Sequence, residues 1–180
     1  MLEGKSIRLR VIEKEDLRVV AEWVSNPLFM GEYQELKQET VAELEKMYDR
    51  VIPEGKWFFI IKKDGDKIGY VTHYPVSGGT HTEVGYMVVP DERNKGYGTE
   101  ALKIIVDYVF LLKNRVRIQA KTDAENLASR KILEKAGFKL EGTIRKSCFN
   151  KGMWRDEVIY SILREEWKEP KILTKTTSQR

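Results

Sequence analysis

The sequence predicts a single α/β (α+β) domain: one mixed, mainly antiparallel sheet of about seven strands with helices on both faces. Three observations carry this expectation. Strand-like and helix-like periodicities succeed one another along the chain, and no repeat or linker divides them. A glycine-rich turn joins a strongly apolar strand to a long amphipathic helix, and another strand follows, which makes a βαβ unit. The remaining strands are joined by short Gly-, Asn- and Asp-containing turns, which favour antiparallel pairing.

The chain enters on a strand, because over Lys5 to Ile12 the residues Ile7, Leu9 and Val11 alternate with Arg8 and Arg10. Leu17, Val20, Ala21 and Val24 then recur at helical spacing until Asn26-Pro27 stops them. Thr40-Val-Ala-Glu43 has capping-box form and precedes Val41, Leu44, Tyr48 and Val51 on one face, which predicts a second helix ending near Pro53. Trp57 to Ile61 and Ile68 to Tyr74 are rich in strand formers, and Asp64-Gly65 between them predicts a hairpin. A turn at Ser77-Gly78-Gly79 leads to a strand over Glu83 to Val89, apolar on both faces in its second half and therefore central.

Beyond the glycine-rich turn, Ala101, Leu102, Ile105, Val109 and Leu112 form an apolar helical stripe, with Glu100, Lys103 and Asp107 on the wet side. Val116, Ile118 and Ala120 alternate with Arg117, Gln119 and Lys121 in a strand expected to lie parallel to the preceding one. A short helix over Asn126 to Ala136 is closed by Gly137. Phe138 to Phe149 and Met153 to Leu163 read as two closing strands linked through Asn150-Lys-Gly152. Residues 1–167 thus form the domain, and the polar, basic stretch 168–180, with Pro170 and no periodicity, reads as a flexible tail.

Composition narrows the function classes. The net charge is only +4, and basic residues are interleaved with acidic ones outside the tail, so nucleic-acid binding is not demanded. There is no charged-then-apolar leader and no apolar run near the ~20 residues a bilayer requires, so a cytoplasmic protein without membrane contact is expected. The lone Cys148 closes no internal disulfide and reads as structural. With His73 and His81 the only histidines, the usual metal-ligand spacings are missing and no metal site is predicted.

The chemistry concentrates at Arg93-Asn-Lys-Gly-Tyr-Gly-Thr99. A strand running into a turn and then a helix presents unpaired backbone N–H groups where the macrodipole amounts to roughly half a positive charge. Gly96 and Gly98 let anionic oxygens approach those amides, while Arg93 and Lys95 add charge, so the stretch reads as a pyrophosphate cradle for a nucleotide-containing cofactor. Gly96-Tyr-Gly-Thr-Glu-Ala101 also fits the dinucleotide pattern. Against NAD stand the turn's late position, the residues Pro90 to Lys95 between strand and glycines, and the absence of an acidic strand end about 20 residues on.

Arg93-x-x-Gly96-x-Gly98, after Val88-Val89-Pro90, resembles the acyl-CoA-binding motif of the GNAT N-acetyltransferases. Asn126-x-x-Ser129, followed by Glu134-Lys-Ala-Gly-Phe138, Glu141-Gly142, Arg145, Asp156, Tyr160 and Glu166-Trp167, resembles the ribosomal-protein (RimJ/RimL-like) branch of that family. The resemblance runs from Ile7 to Trp167. It implies the acyl-CoA N-acyltransferase (GNAT) fold, acetyl-CoA as donor substrate, no metal, and direct attack of a primary amine on the thioester.

The resemblance further implies that backbone groups of Met87, Val88 and Val89 pair with the pantetheine arm, in a splay between the strand ending at Val89 and the one starting near Arg115. The amides of Asn94, Lys95, Gly96, Tyr97, Gly98 and Thr99 would hold the pyrophosphate, with Arg93 helping to anchor it. The amide of Val88 or Val89 would polarise the thioester carbonyl. Glu83 is the candidate proton acceptor, directly or through water; the alternative is a strand-end carboxylate in solvent. Many members carry a tyrosine four residues before the glycine of Lys-x-Gly-Phe. Leu133 stands there, and Ser129, one turn earlier, is the replacement donor to the departing thiolate. Asn126 would hold the cofactor arm and is equally suited to cap its helix.

Acceptor contacts are expected from residues 26–55 and the loop from Asn150 to Trp154. By resemblance a protein N-terminus heads the acceptors, with polyamines, aminoglycosides and small amines behind. A homodimer stays open, and a CoA-sensing module without turnover is the non-catalytic alternative.

Overall fold

In the computed structural model, which describes residues 1–51, 55–76, 78 and 80–172, the chain runs through β1 (Leu2–Glu3), β2 (Ile7–Val11), α1 (Leu17–Val24), α2 (Pro27–Met30), α3 (Val41–Val51), β3 (Lys56–Lys62) and β4 (Lys67–Val76). There follow β5 (His81–Val88), α4 (Tyr97–Leu112), β6 (Arg117–Asp123), α5 (Leu127–Lys135), β7 (Lys139–Asn150) and β8 (Met153–Leu163). All strands join one sheet in the order β1-β2-β3-β4-β5-β6-β8-β7. Among the described residues only β5 and β6 pair in parallel. The eighth strand is the two-residue β1, too short to carry a period of two.

Each face of the sheet buries its own core. On one face α4 packs Ala101, Leu102, Ile105 and Val109 onto Ile7, Leu9, Val71, Val84, Ile118 and Tyr160. On the other, α1 and α3 bring Leu17, Val20, Val24, Leu44 and Tyr48 against Trp57, Phe59 and Ile61. Strand alternation divides β5 between them, since Val84 and Val88 belong to the first core while Met87 packs against the second.

Local signals act as their chemistry dictates. The Thr40 amide donates to Glu43 Oε2 at 2.8 Å and the Glu43 amide returns to Thr40 Oγ1 at 3.3 Å, the reciprocal capping box that starts α3. Asn26-Pro27 ends α1 and also starts α2, with Asn26 Oδ1 accepting from the Leu28 amide at 2.9 Å and Pro27 at the first helical position. The hairpin at Asp64-Gly65 is a four-residue loop rather than a two-residue one, with Gly65 at φ +106°. Pro53, Ser77 and Gly79, on which a helix end and a turn are expected, lie outside the described residues, as does the tail from 173 onward.

Two expectations about α4 are corrected. Asp107 is fully buried rather than on the wet side, and Leu112 is 66% exposed rather than part of the apolar stripe. Asp107 is covered by the chain beyond β8, which folds back along α4, whereas Leu112 is the last residue of the helix. The Trp167 indole donates to Asp107 Oδ1 at 2.9 Å, and the amides of Lys171 and Ile172 reach its carboxylate at 2.9 and 2.7 Å. A helical face that periodicity marks as solvated is thus covered by residues some sixty positions downstream.

Candidate active site

The site begins where two strands part. The parallel ladder between β5 and β6 has three residue pairs, from His81–Arg117 to Glu83–Gln119, although β5 continues to Val88 and β6 to Asp123. Beyond Gln119, β6 parts from β5 while staying paired with β8 on its other side as far as Asp123. The splayed residues open onto a cleft of ≈ 520 Å³.

One wall of the cleft is the turn into α4. Asn94 (φ +62°) and Gly96 (φ +88°) take left-handed conformations, a sequence of backbone angles that turns successive amides inward at the start of a sixteen-residue helix. Gly98 is buried, and a Cβ there would meet Ile132 at 3.4 Å and Val88 at 3.7 Å, so its bareness lets α4 approach β5 and α5 closely. The cleft is lined by Met87, Val88, Arg93, Asn94, Gly96, Tyr97, Gly98 and Thr99 on this side and by Asn126, Ser129, Ile132 and Lys135 on the other. Gly31, Glu32 and Tyr33, from the segment after α2, close a third side. Lys95 and Val89 are not among the lining residues, and the Lys95 ammonium pairs with Glu92 at 3.0 Å.

Several candidate residues are committed to the protein itself. The Val89 amide donates to the Ile68 carbonyl at 2.8 Å and is not available to a thioester, which leaves the Val88 amide as the candidate of the two. The Arg93 guanidinium donates through Nε to the Val88 carbonyl at 2.9 Å and through one terminal nitrogen to the Phe29 carbonyl at 2.5 Å, tying β5 to α2. Burial lowers its pKa from the ordinary guanidinium value. Asn126 caps α5, its Oδ1 accepting from the Ser129 amide at 3.0 Å, and it lines the cleft as well.

Glu83 stands at the base of the fork, one pleat out of phase with Tyr86, and therefore on the face away from α4 and α5. It is not in open solvent: its carboxylate accepts from the Tyr74 hydroxyl at 2.7 Å and the Gln119 amide at 2.9 Å, with Lys121 3.9 Å away. Burial first, then the hydrogen bond to and charge of Glu83, hold Tyr74 well above the usual phenol pKa, so it stays a neutral donor.

On the same face Arg155 pairs with Asp123, and with Glu125 at 2.6 Å, and lies over the Tyr33 ring at 5.4 Å. The hairpin between β7 and β8 reaches back to the segment after α2, through Asn150 to the Glu32 carbonyl at 3.4 Å and Lys151 to the Gly31 carbonyl at 3.0 Å. Phe149 and Trp154, 57% and 61% exposed, contact each other edge to face beside it.

Sequence reasoning missed Tyr86. Its hydroxyl lies 2.9 Å from Ser129 Oγ and 3.1 Å from the Ser129 carbonyl, and burial pushes its pKa up to about 12. The one available signal was parity: Tyr86 shares its strand face with Val84 and Val88, which points it at α5.

A forked parallel pair, ending on one arm in a helix start whose amides face the cleft, is the arrangement expected of an acyltransferase that uses an acyl-CoA. The protein family described as "Acetyltransferase (GNAT) domain" matches residues 6–139, and the chain belongs to that family. It is 29% identical over 170 residues to the spermidine N(1)-acetyltransferase of Escherichia coli (strain K12), covering 93% of this chain and 91% of that protein. It is 33% identical over 168 residues to the uncharacterized N-acetyltransferase YnaD of Bacillus subtilis (strain 168), covering 91% and 96%.

Among solved structures, spermidine N-acetyltransferase from Vibrio cholerae in complex with CoA and spermine superposes with a TM-score of 0.81 at 24% identity, covering 91% of this chain and 99% of that one. RimL, a ribosomal L7/L12 alpha-N-protein acetyltransferase in complex with CoA, does so at 0.80 with 15% identity, covering 92% and 98%. The chain is an acetyl-CoA-dependent N-acetyltransferase. Among the described residues no His, Cys, Asp and Glu group forms a metal site, and no helix is long and apolar enough to cross a membrane.

Proposed function

We propose that the protein acetylates a small di- or polyamine, entering from the face that carries Glu83. The observation behind this reading is the charge of that face. Glu83, Asp123, Glu125, Glu141 and Glu157, with Glu32 and Glu35 from the segment after α2, outnumber Arg117, Lys121, Lys151 and Arg155. Their proximity is felt by three side chains. Cys148 has its thiol pKa raised by burial and then by Glu157, Asp123 and Glu35; Tyr33 and Tyr74 are raised by burial and then by neighbouring carboxylates. Such a surface concentrates a polycation and orients its charged nitrogens. The Escherichia coli relative named as a spermidine acetyltransferase supports the same class.

In this mechanism the amides from Asn94 to Thr99 hold the pyrophosphate of acetyl-CoA, with Asn126 on the cofactor arm, and the edge of β5 exposed by the fork, at Val88, pairs with the pantetheine; Met87, two residues before Val89, turns its backbone to β4 instead. The Val88 amide polarises the carbonyl. Glu83 accepts the proton that the attacking nitrogen sheds, directly or through water, and Ser129 donates a hydrogen bond to the departing thiolate. The free Cys148 and the use of acetyl-CoA fit a cytoplasmic location.

The test is mass detection of added acetyl groups on spermidine, spermine, aminoglycosides and peptides with free N-termini. Acetylated spermidine is expected, and Glu83→Gln should lower kcat by about a hundredfold. Acetylation of peptides alone would overturn the polyamine reading in favour of the ribosomal-protein branch, for which Asn126-x-x-Ser129 speaks.

A further inference from the structure

We infer that Tyr86 is a positioning residue that controls which way the Ser129 hydrogen points; this rests on Ser129 as donor to the thiolate. The Ser129 hydroxyl has one hydrogen and sits 2.9 Å from the Tyr86 hydroxyl, which in turn has two acceptors in reach, Ser129 Oγ and the Ser129 carbonyl at 3.1 Å. Two arrangements follow. In one, Ser129 donates to Tyr86 and Tyr86 donates to the carbonyl, so the serine hydrogen is used up within the protein. In the other, Tyr86 donates to Ser129 Oγ, and the serine hydrogen is free to point into the cleft.

The carbonyl loses little in the second arrangement, because Ser129 lies in the first turn of α5 and its carbonyl has the helical amide four residues on as partner. Among the described residues Tyr86 is the one side chain bonded to Ser129 Oγ, and Leu133, buried on the same helix, brings no hydroxyl of its own. Arrival of negative charge on sulfur favours the second arrangement.

As the amine lone pair forms the N–C bond, the C–S bond breaks and its electron pair stays on sulfur. The nitrogen's proton leaves to Glu83 or water, and the thiolate rests on the Ser129 hydrogen until it takes a proton from solvent. Tyr86 keeps its own proton throughout, since its half-buried hydroxyl, packed against the apolar core, has a pKa raised to about 12. It contributes direction rather than acidity.

Two measurements on the intact protein test this. The first needs no acceptor: the thiol of bound CoA is titrated by the ultraviolet absorbance of its thiolate. Ser129→Ala and Tyr86→Phe should each raise that pKa by the same amount, and the double variant should raise it no further. The second uses spermidine: Tyr86→Phe should cut kcat about tenfold, the rate equivalent of one hydrogen bond, with KM for acetyl-CoA unchanged. Tyr86→Phe keeps the ring against Gly98, so its melting temperature with CoA should stay near the parent's. If Ser129→Ala shifts the titration and Tyr86→Phe does not, the inference falls and Ser129 keeps its role. If neither shifts it, both fall. Failure of the parent to acetylate spermidine overturns the acceptor reading alone, because the CoA titration stands without an acceptor.

Discussion

Arg93 Nε donates to the Val88 carbonyl at 2.9 Å, and the same guanidinium reaches the Phe29 carbonyl. A residue that sequence motifs assign to the cofactor's anion is thereby the clamp between the last turn of β5 and α2. Arg93→Lys keeps the charge and loses the planar fork. It should destabilise the protein by about 1–3 kcal/mol in denaturant melts. It should also raise KM for acetyl-CoA, since the cleft wall loses its anchor. A KM unchanged beside a lowered stability would separate the clamp from the cofactor site.

His73 supplies a pH dependence. It is 2% exposed between Phe58 and Tyr108, its Nε2 has no hydrogen-bond partner, and its pKa falls from 6.5 to about 4. Burial is the main cause, followed by the charges of Lys113, Lys56 and Arg115. The unfolded chain therefore binds a proton as pH falls below 6.5, while the folded chain resists until about 4. Stability is full above the upper value and declines by about 3 kcal/mol across the window. His73→Phe should flatten that decline in urea melts taken from pH 7 to 4, with little change at pH 7.

The buried carboxylate of Asp107 collects the Trp167 indole and two backbone amides. Asp107→Ala leaves those donors without an acceptor and should cost about 2–5 kcal/mol, read as a lowered melting temperature. Hydrogen exchange should accelerate at Lys171 and Ile172 before it does so in β6, because those amides hang on this one side chain.

Acceptor charge gives a further check. If the acid-lined face selects polycations, KM for spermidine should rise steeply with salt, and Glu157→Gln should raise it about three- to tenfold, while KM for a simple monoamine changes little. Equal effects on both amines would count against that face.

What was legible in the chain was local or contiguous. The capping box at Thr40 and Glu43 lies within four residues, the glycine turn and its helix within twenty, and the parallel β5–β6 pair follows from the handedness of one crossover. What was not legible depends on partners far away in sequence. Tyr86 and Ser129 are 43 residues apart, and only the approach of α5 to β5 reveals them as a pair. The insertion of β8 between β6 and β7, the capture of the Val89 amide by Ile68, and the burial of Asp107 are likewise matters of tertiary pairing that no periodicity encodes.

The fork between β5 and β6 leaves the sheet short of a ladder over the last five residues of β5. An unpaired strand edge ordinarily invites another chain and carries an aggregation hazard. Here the vacancy is internal, walled by α4 and α5 and by the segment after α2, and too narrow in purpose for a folded partner. What suits it is a thin, extended molecule with amides of its own, and a pantetheine tether has that form. The donor would then complete the sheet as a guest strand, recognised through backbone geometry, which would leave the side chains of this region free to diverge without loss of the cofactor.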